Sequence, residues 1–327
     1  MNRQPSRTVF ALMGPTASGK SELGMRLADE FNIALISVDS AMAYRGMDIG
    51  TAKPDAATLQ KYPHALVDIL DPEDDYSVGE FIGRADQAVN DAFKSGKSPL
   101  LVGGSMLYFK RFRDGVAKLP GRNSEIRAQL RHRADEGGVE ELFRELQQVD
   151  PSSARRIHPN NYSRIERALE VYQQTGKPMS QLVEKHASTS VVDRLQCDYR
   201  EFSLLNLTRA ILHDRIEKRV HSMLDLGFAD EVRTLMQRPN LSLQAMSMRA
   251  VGYRQLCQRL ACDIEASIDS ITINAIVAGT RQLARRQLTW LRNWKTDVQH
   301  VSLQSADAYD CIKNVLQSCS VPRTNEE

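Results

Sequence analysis

The chain holds no run of apolar residues long enough to span a membrane, and its first seven residues, Met1-Asn2-Arg3-Gln4-Pro5-Ser6-Arg7, contain no apolar stretch. Both absences argue against a membrane anchor or a secretory signal, and the expectation is a soluble protein that stays in the cytoplasm. Cysteine is scarce. Cys197, Cys257, Cys262, Cys311 and Cys319 are odd in number and form no Cys-x-x-Cys pair, which argues against a disulfide framework and a zinc knuckle and for reduced thiols. A surplus of one charge is also missing: 43 basic against 41 acidic residues leave +2. The chain is therefore no uniformly basic nucleic-acid coat, and any surface for a polyanion has to arise by clustering. No internal repeat or low-complexity tract interrupts the 327 residues, which suffice for one large domain or two ordinary ones, and Pro322–Glu327 reads as a loose tail.

What is present is a phosphate-binding loop. Gly14-Pro15-Thr16-Ala17-Ser18-Gly19-Lys20-Ser21 follows the apolar run Thr8–Met13 and precedes a stripe of Leu23, Leu27 and Phe31. A strand delivers the chain to a glycine turn and a helix leaves it, so backbone N–H groups and the helix dipole face an anion. Lys20 adds a mobile cation and Ser21 a hydroxyl for a metal. Eight residues do not separate a nucleoside triphosphate from a diphosphate ester.

Ile33–Val38 suits a strand buried on both faces and ends in Asp39-Ser40. Ser77-Val78-Gly79-Glu80 has capping-box spacing before a stripe of Phe81, Ile82, Ala85, Val89 and Ala92, and Leu100–Gly104 is a third strand running into a glycine turn. Strand, helix, strand, helix, strand implies a parallel sheet with its ligands at the carboxyl ends of the strands. From about residue 112 the chain turns Arg-rich and helical, with starts at Asn123 and Asp150-Pro151 and a stop at Thr175-Gly176-Lys177-Pro178; Glu201–Leu207 then restores a strand. The expected fold is α/β, a P-loop parallel sheet flanked by helices with an inserted all-helical domain. The expected boundaries are 1–115 for the first part of the core, 116–200 for the insertion and 201–327 for the second part of the core with basic C-terminal helices.

Three further features carry chemistry. Asp39 stands where the second strand meets the ligand crevice, and a carboxylate there can hold Mg²⁺, accept a proton, or cap the next turn; the long polar loop through Gly50-Thr51-Ala52-Lys53-Pro54 favours function. Arg215 and Arg219 lie four apart on one helix with no acidic residue three or four positions away, which calls for an anion outside the helix, either a diphosphate or a carboxylate from another helix. The stretch Arg281–Lys295 has five basic residues, no acidic residue and both tryptophans. It fits loop RNA by phosphate neutralisation and base stacking, and equally an amphipathic helix with buried Trp.

Gly14–Ser21, Ile36–Ser40, Tyr44–Pro54, Gly103-Gly104-Ser105-Met106-Leu107-Tyr108, Arg164–Val171, Arg249–Arg254 and Arg286–Arg292 together resemble the bacterial tRNA dimethylallyltransferases (tRNA isopentenyltransferases), in family order from the first strand nearly to the tail. The resemblance implies transfer of a dimethylallyl group from dimethylallyl diphosphate to the exocyclic N6 amine of the adenosine 3′-adjacent to the tRNA anticodon, releasing diphosphate, with Mg²⁺ as cofactor bound by Ser21 through the diphosphate. It implies Asp39 as general base, with Ser105, Lys20 and Thr16 in the catalytic set. The diphosphate falls to Gly14, Pro15, Thr16, Ala17, Ser18, Gly19, Lys20 and Ser21, joined by Arg215 and Arg219. Contacts to the tRNA anticodon stem-loop fall on Asp39, Ser40, Ala41 and Met42, on Ser105 and Arg127, and on Ser163, Arg164, Ile165, Glu166 and Arg167. They continue on Arg249, Ala250, Val251, Gly252, Tyr253 and Arg254, and on Arg285, Arg286, Gln287, Leu288, Thr289, Trp290, Leu291 and Arg292. No membrane partner is expected, and the chain is expected to act as a monomer.

The chemistry agrees with these roles. Negative charge grows on the departing diphosphate and is met by fixed cations and N–H donors, while a carboxylate relieves the weakly nucleophilic adenine amine of its proton. Ser21 and Ser105 stand where the family more often has Thr, Ala65 where a second His is common, and Asn123 and Asn161 where Asp is usual. The alternative is a small-molecule or nucleoside kinase using Asp39 as base for a hydroxyl, which leaves the basic aromatic helix and the Arg-rich insertion without a role. A non-catalytic RNA-binding protein is a third possibility.

Overall fold

Every residue of Thr8–Met13 is buried, as befits a run with no polar face to turn to solvent, and it forms the central strand β1. In the computed structural model, which describes residues 7–117, 119–185, 189–205, 208–296, 298–301 and 307–319, β1 is followed by β2 (Ile33–Val38), β3 (His64–Ala65), β4 (Ser98–Gly103), β5 (Asp198–Leu204) and β6 (Gln299–Val301). Among the described residues they make one parallel sheet of order β3-β2-β4-β1-β5-β6. The register matters for function. Gly103 at the end of β4 is level with both Met13 and Val38, so β1, β4 and β2 stop together and the segments after them emerge side by side.

β3 and β6, of two and three residues, carry too little pattern to be read from sequence. β5 runs three residues earlier than the expected Glu201 start and ends at Leu204; Asn206 and Leu207 lie outside the described residues, as do Met1–Ser6 and the tail Pro322–Glu327. The helix Lys20–Glu30 leaves the phosphate loop and buries Leu23 and Leu27 against β-sheet residues Phe10, Leu12, Leu35 and Leu100. Val78–Lys94 begins as its spacing predicts, with the Ser77 hydroxyl accepting the Glu80 N–H at 3.1 Å.

The chain divides into two compact units, one of residues up to Arg113 and from Ser190 onward, the other Asp114–Thr189. The second therefore ends at Thr189 rather than at residue 200: Ser190 caps a short helix, Val191–Leu195, that leads straight into β5 and belongs with the sheet. Within Asp114–Thr189, Leu130, Leu142, Leu146, Ile165 and Leu169 form an all-helical core. Asn123 accepts the Ile126 N–H as cap of Ser124–Gly137, and Asn161 caps Tyr162–Thr175. Glu170 is fully buried and accepts from the Asn123 N–H at 2.7 Å, from Arg127 at 2.9 Å and from Arg167 at 2.7 Å. Burial alone raises a carboxyl pKa, but these donors outweigh it and hold Glu170 below its ordinary value.

Candidate active site

The three segments that emerge together open onto a cavity of about 560 Å³, entirely within the sheet-bearing unit. Thr16, Lys20 and Ser21 of the phosphate loop line it, as do Asp39–Met42 after β2 and Gly103-Gly104-Ser105 after β4. A further wall comes from Gly50, Thr51, Ala52 and Pro54, and another from the helices Arg209–Asp225 and Ser270–Arg292.

Asp39 both caps and faces the cavity. Its Oδ1 accepts the backbone N–H of Ala41 at 2.9 Å and of Met42 at 3.4 Å, which leaves Oδ2 as the oxygen available for other work, and the residue lines the cavity. The Ser105 hydroxyl accepts the Ser40 N–H at 3.2 Å, tying the Asp39 segment to the glycine turn and leaving its own proton to donate. Lys20 Nζ donates to the Pro15 carbonyl at 3.2 Å. Burial lowers its pKa to about 8, with Asp39 opposing and Arg219 adding to the shift, so the three charges act on one another across the cavity. Arg219 donates to the Thr51 carbonyl at 3.2 Å, and burial lowers its pKa too, against the attraction of Asp39.

Arg215 departs from expectation. It is exposed and is not among the cavity-lining residues, although it lies one turn from Arg219. The stripe that packs is Leu212, Ile216 and Val220, which aims Arg219 inward and leaves Arg215 at the rim of the helix. The expected basic helix spans Ser270–Arg292, so Trp294 and Lys295 lie beyond its end. Trp290 is 40% exposed and lines the cavity, whereas Trp294 donates its indole N–H to Glu201 at 3.0 Å and stacks on Arg113. Neither tryptophan is buried: Trp290 is open on the cavity and Trp294 is half-buried beyond the helix end.

Among the remaining expected contacts, Arg249, Arg254, Arg285, Arg286, Thr289 and Arg292 are exposed, with Arg249 and Arg286 on the cavity. Gly252 and Tyr253 are buried, and Leu291 is core. Ala250 and Val251 line the cavity, and Leu288 packs against Leu212, Ile216 and Ala284. In the all-helical unit Ser163 and Arg164 are exposed, Ile165 and Glu166 are buried, and Arg127 and Arg167 are paired with Glu170. The Gln287 side chain, expected at an RNA surface, is buried and bonded to protein at both ends.

Sequence reasoning missed Glu231. Its carboxylate accepts the consecutive N–H groups of Asp48, Ile49 and Gly50 at 2.8, 2.7 and 3.2 Å and the Tyr253 hydroxyl at 2.5 Å, which holds the loop that supplies the Thr51 wall. A lone Glu in an amphipathic helix gives no signal of this. His64 also lines the cavity; its Nδ1 meets the Tyr62 carbonyl at 2.6 Å, which requires the proton on Nδ1, and burial lowers its pKa. No group of three or more His, Cys, Asp or Glu side chains able to hold a metal occurs among the described residues.

The family model for IPP transferase matches residues 42–294. The chain belongs to the IPP transferase family. Among solved structures it is similar to the tRNA isopentenylpyrophosphate transferase of Bacillus halodurans, at 32% identity over 95% of this chain and 96% of that one with a TM-score of 0.65. It is equally similar to the tRNA delta(2)-isopentenylpyrophosphate transferase of Staphylococcus epidermidis, at 31% identity over 96% of this chain and 100% of that one, TM-score 0.65. A eukaryotic dimethylallyltransferase acting on tRNA, at 24% identity over 98% of this chain and 82% of that one, shares the fold with a TM-score of 0.78. No helix among the described residues is long and apolar enough to cross a membrane.

Proposed function

We propose that this IPP transferase moves a dimethylallyl group from dimethylallyl diphosphate to the N6 amine of the adenosine 3′-adjacent to the anticodon of tRNA, as a cytoplasmic monomer. The observation that carries the reading is the sharing of one cavity by the Asp39 carboxylate and the Lys20 and Arg219 cations, with an apolar wall of Val102, Met106, Leu107, Val220 and Met223 beside them. One end suits a diphosphate, the wall suits a short branched hydrocarbon, and Asp39 suits an amine that must lose a proton.

In the reaction the bond from the allylic carbon to diphosphate oxygen breaks with its electron pair leaving on oxygen, while adenine N6 forms the new bond to that carbon. The proton from N6 passes to Asp39 Oδ2. Lys20, Arg219 and the N–H groups of the phosphate loop neutralise the growing charge on the diphosphate, and general-base assistance of this kind is worth about a hundredfold or more.

A divalent cation fits this chemistry as a partner of the diphosphate rather than as a protein chelate. The Ser21 hydroxyl is at hand in the cavity, the Ser18 hydroxyl is fully buried without a hydrogen-bond partner, and no acidic cluster competes among the described residues. Mg²⁺ held by Ser21 and diphosphate oxygens would supply charge neutralisation of the leaving group. RNA is gripped by exposed basic residues: Arg249, Arg254, Arg285, Arg286 and Arg292 of one unit, and Arg164 with Ser163 of the other. Trp290 offers a stacking face.

The test is the release of diphosphate by purified protein with Mg²⁺ and dimethylallyl diphosphate, with and without tRNA. Release that depends on tRNA supports the reading. ADP formed from ATP in step with a phosphorylated small molecule, and no diphosphate released, would replace it by the kinase.

A further inference from the structure

The helix Ser270–Arg292 turns Leu283, Arg286, Gln287 and Trp290 toward the cavity. Gln287 differs from the others on that face because both ends of its amide are already spent. Oε1 accepts the backbone N–H of Thr16 in the phosphate loop at 2.9 Å, and Nε2 donates to the backbone carbonyl of Gly104 at 2.9 Å. The side chain is only 8% exposed. Its two partners follow β1 and β4, adjacent strands whose ends are otherwise joined here by the Gly14 N–H donating to the Gly103 carbonyl at 3.3 Å. The approach depends on bare backbone: a Cβ on Gly104 would stand 2.4 Å from Nε2 and 3.3 Å from the Gly14 carbonyl oxygen.

An amide whose acceptor and donor are both engaged has little left with which to read RNA. We infer that Gln287 is a positioning residue for the diphosphate: it clamps the phosphate loop to the turn that carries Ser105, and its contribution is to the affinity for the diphosphate ester and the geometry of the reaction, while the grip on RNA belongs to its neighbours. The inference deepens the proposed prenyl transfer and rests on that reading of the cavity.

Only a side chain of this length with an acceptor and a donor at its tip meets both loops. A carboxylate at position 287 would still accept from Thr16 but would set a second acceptor, and a negative charge, against the Gly104 carbonyl and the diphosphate. Methionine fills the same space and makes neither bond. Freed of the clamp, the Thr16 N–H loses its partner, and the phosphate loop loses its fixed distance from Ser105.

The experiment uses the full chain and two probes: magnesium diphosphate titrated by calorimetry and tRNA titrated by filter binding. For Gln287→Met the expected result is a loss in diphosphate affinity of about tenfold, the scale of one unmade hydrogen bond to a buried group, with tRNA affinity within about twofold of the wild type. Gln287→Glu, nearly the same shape, should lose at least as much, and it serves if the methionine variant does not fold. Gly104→Ala attacks the same clamp from the other side without touching the helix surface, so Gly104→Ala with Gln287→Met should cost no more than the worse single change. Fully additive losses, or a loss of tRNA affinity with diphosphate affinity intact, would overturn the assignment and return Gln287 to the RNA surface or to general packing. Wild-type protein that binds no diphosphate would sink the proposed function and this inference together, whereas normal wild-type binding with unaffected variants sinks the inference alone.

Discussion

Asp39 serves two purposes at once, and its two oxygens separate them. An asparagine in its place would keep an oxygen to accept the Ala41 and Met42 N–H groups, so Asp39→Asn should leave the loop and tRNA affinity in place while lowering kcat by about a hundredfold or more. Single-turnover rates alongside tRNA binding check this. Arg219 and Arg215 make a matched pair on one helix. Arg219→Ala should raise KM for dimethylallyl diphosphate roughly tenfold or more, the scale of a lost charge-assisted hydrogen bond. Arg215→Ala, at an exposed site off the cavity, should change it less than about twofold. Steady-state kinetics in the diphosphate ester decides between them, and equal effects would restore Arg215 to the site.

Lys20 gives a pH dependence. Its pKa is lowered to about 8 in the free protein, and a bound diphosphate favours the ammonium and raises it again. Between those two values binding takes up a proton, so affinity for the ester should fall as pH rises above about 8, by up to about tenfold per pH unit. Below that pH Lys20 is charged in both states and contributes no slope. Diphosphate titrations across this range check it, and Lys20→Arg should flatten the profile because guanidinium stays protonated.

At the scale of elements, what could be read from the sequence and what could not have physical causes. β1, β2 and β4 were legible because strands buried on both faces must be apolar throughout, and the phosphate loop because its geometry demands glycine and lysine at set spacing. The edge strands β3 and β6 were not, since two or three residues set no period. Arg215 reads like Arg219 because sequence spacing shows which residues share a helix face but not which edge of that face meets a cavity. The resemblance places Gln287 among the tRNA contacts, and a polar side chain turned inward to two backbone groups leaves no mark in the sequence. The 47–54 loop was visible as a loop, yet its anchor was not: Gly50 packs where a Cβ would stand 2.0 Å from the Phe228 ring, and Glu231 takes its N–H groups from a segment nearly two hundred residues away.

The all-helical unit has its own titration. Glu170 and Asp150 are both held below their ordinary values, Glu170 by Arg127, Arg167 and the Asn123 N–H, and Asp150 by Ser153 and Ser180, in each case against the raising effect of burial. A depressed carboxyl pKa contributes stability that is present above the unfolded value and lost as pH falls through the folded one. Stability of this unit should therefore decline once pH drops below about 4.5, the ordinary Glu value. Thermal melts against pH follow it, and Glu170→Gln should weaken the dependence while lowering the melting temperature at neutral pH, since Arg127 and Arg167 lose their buried partner.

At the scale of the molecule, a near-neutral chain carries exposed arginines, of which Arg249 and Arg286 line the cavity, so RNA binding should be local and electrostatic. tRNA affinity should fall steeply with added salt, in proportion to the phosphates contacted, and charge removal at Arg286 or Arg254 should reduce that slope by about one each. Turnover of a bound complex should be far less sensitive, because Asp39, Lys20 and Arg219 are shielded within the cavity.

Joining a prenyl group to a tRNA adenosine is the work assigned to this cavity. Mass spectrometry of nucleosides digested from tRNA after incubation with the protein, Mg²⁺ and dimethylallyl diphosphate measures it directly. The expected product is an adenosine carrying one dimethylallyl group on N6, its formation abolished or slowed at least a hundredfold by Asp39→Asn. Unmodified adenosine throughout, or full modification by the Asp39→Asn protein, would contradict it.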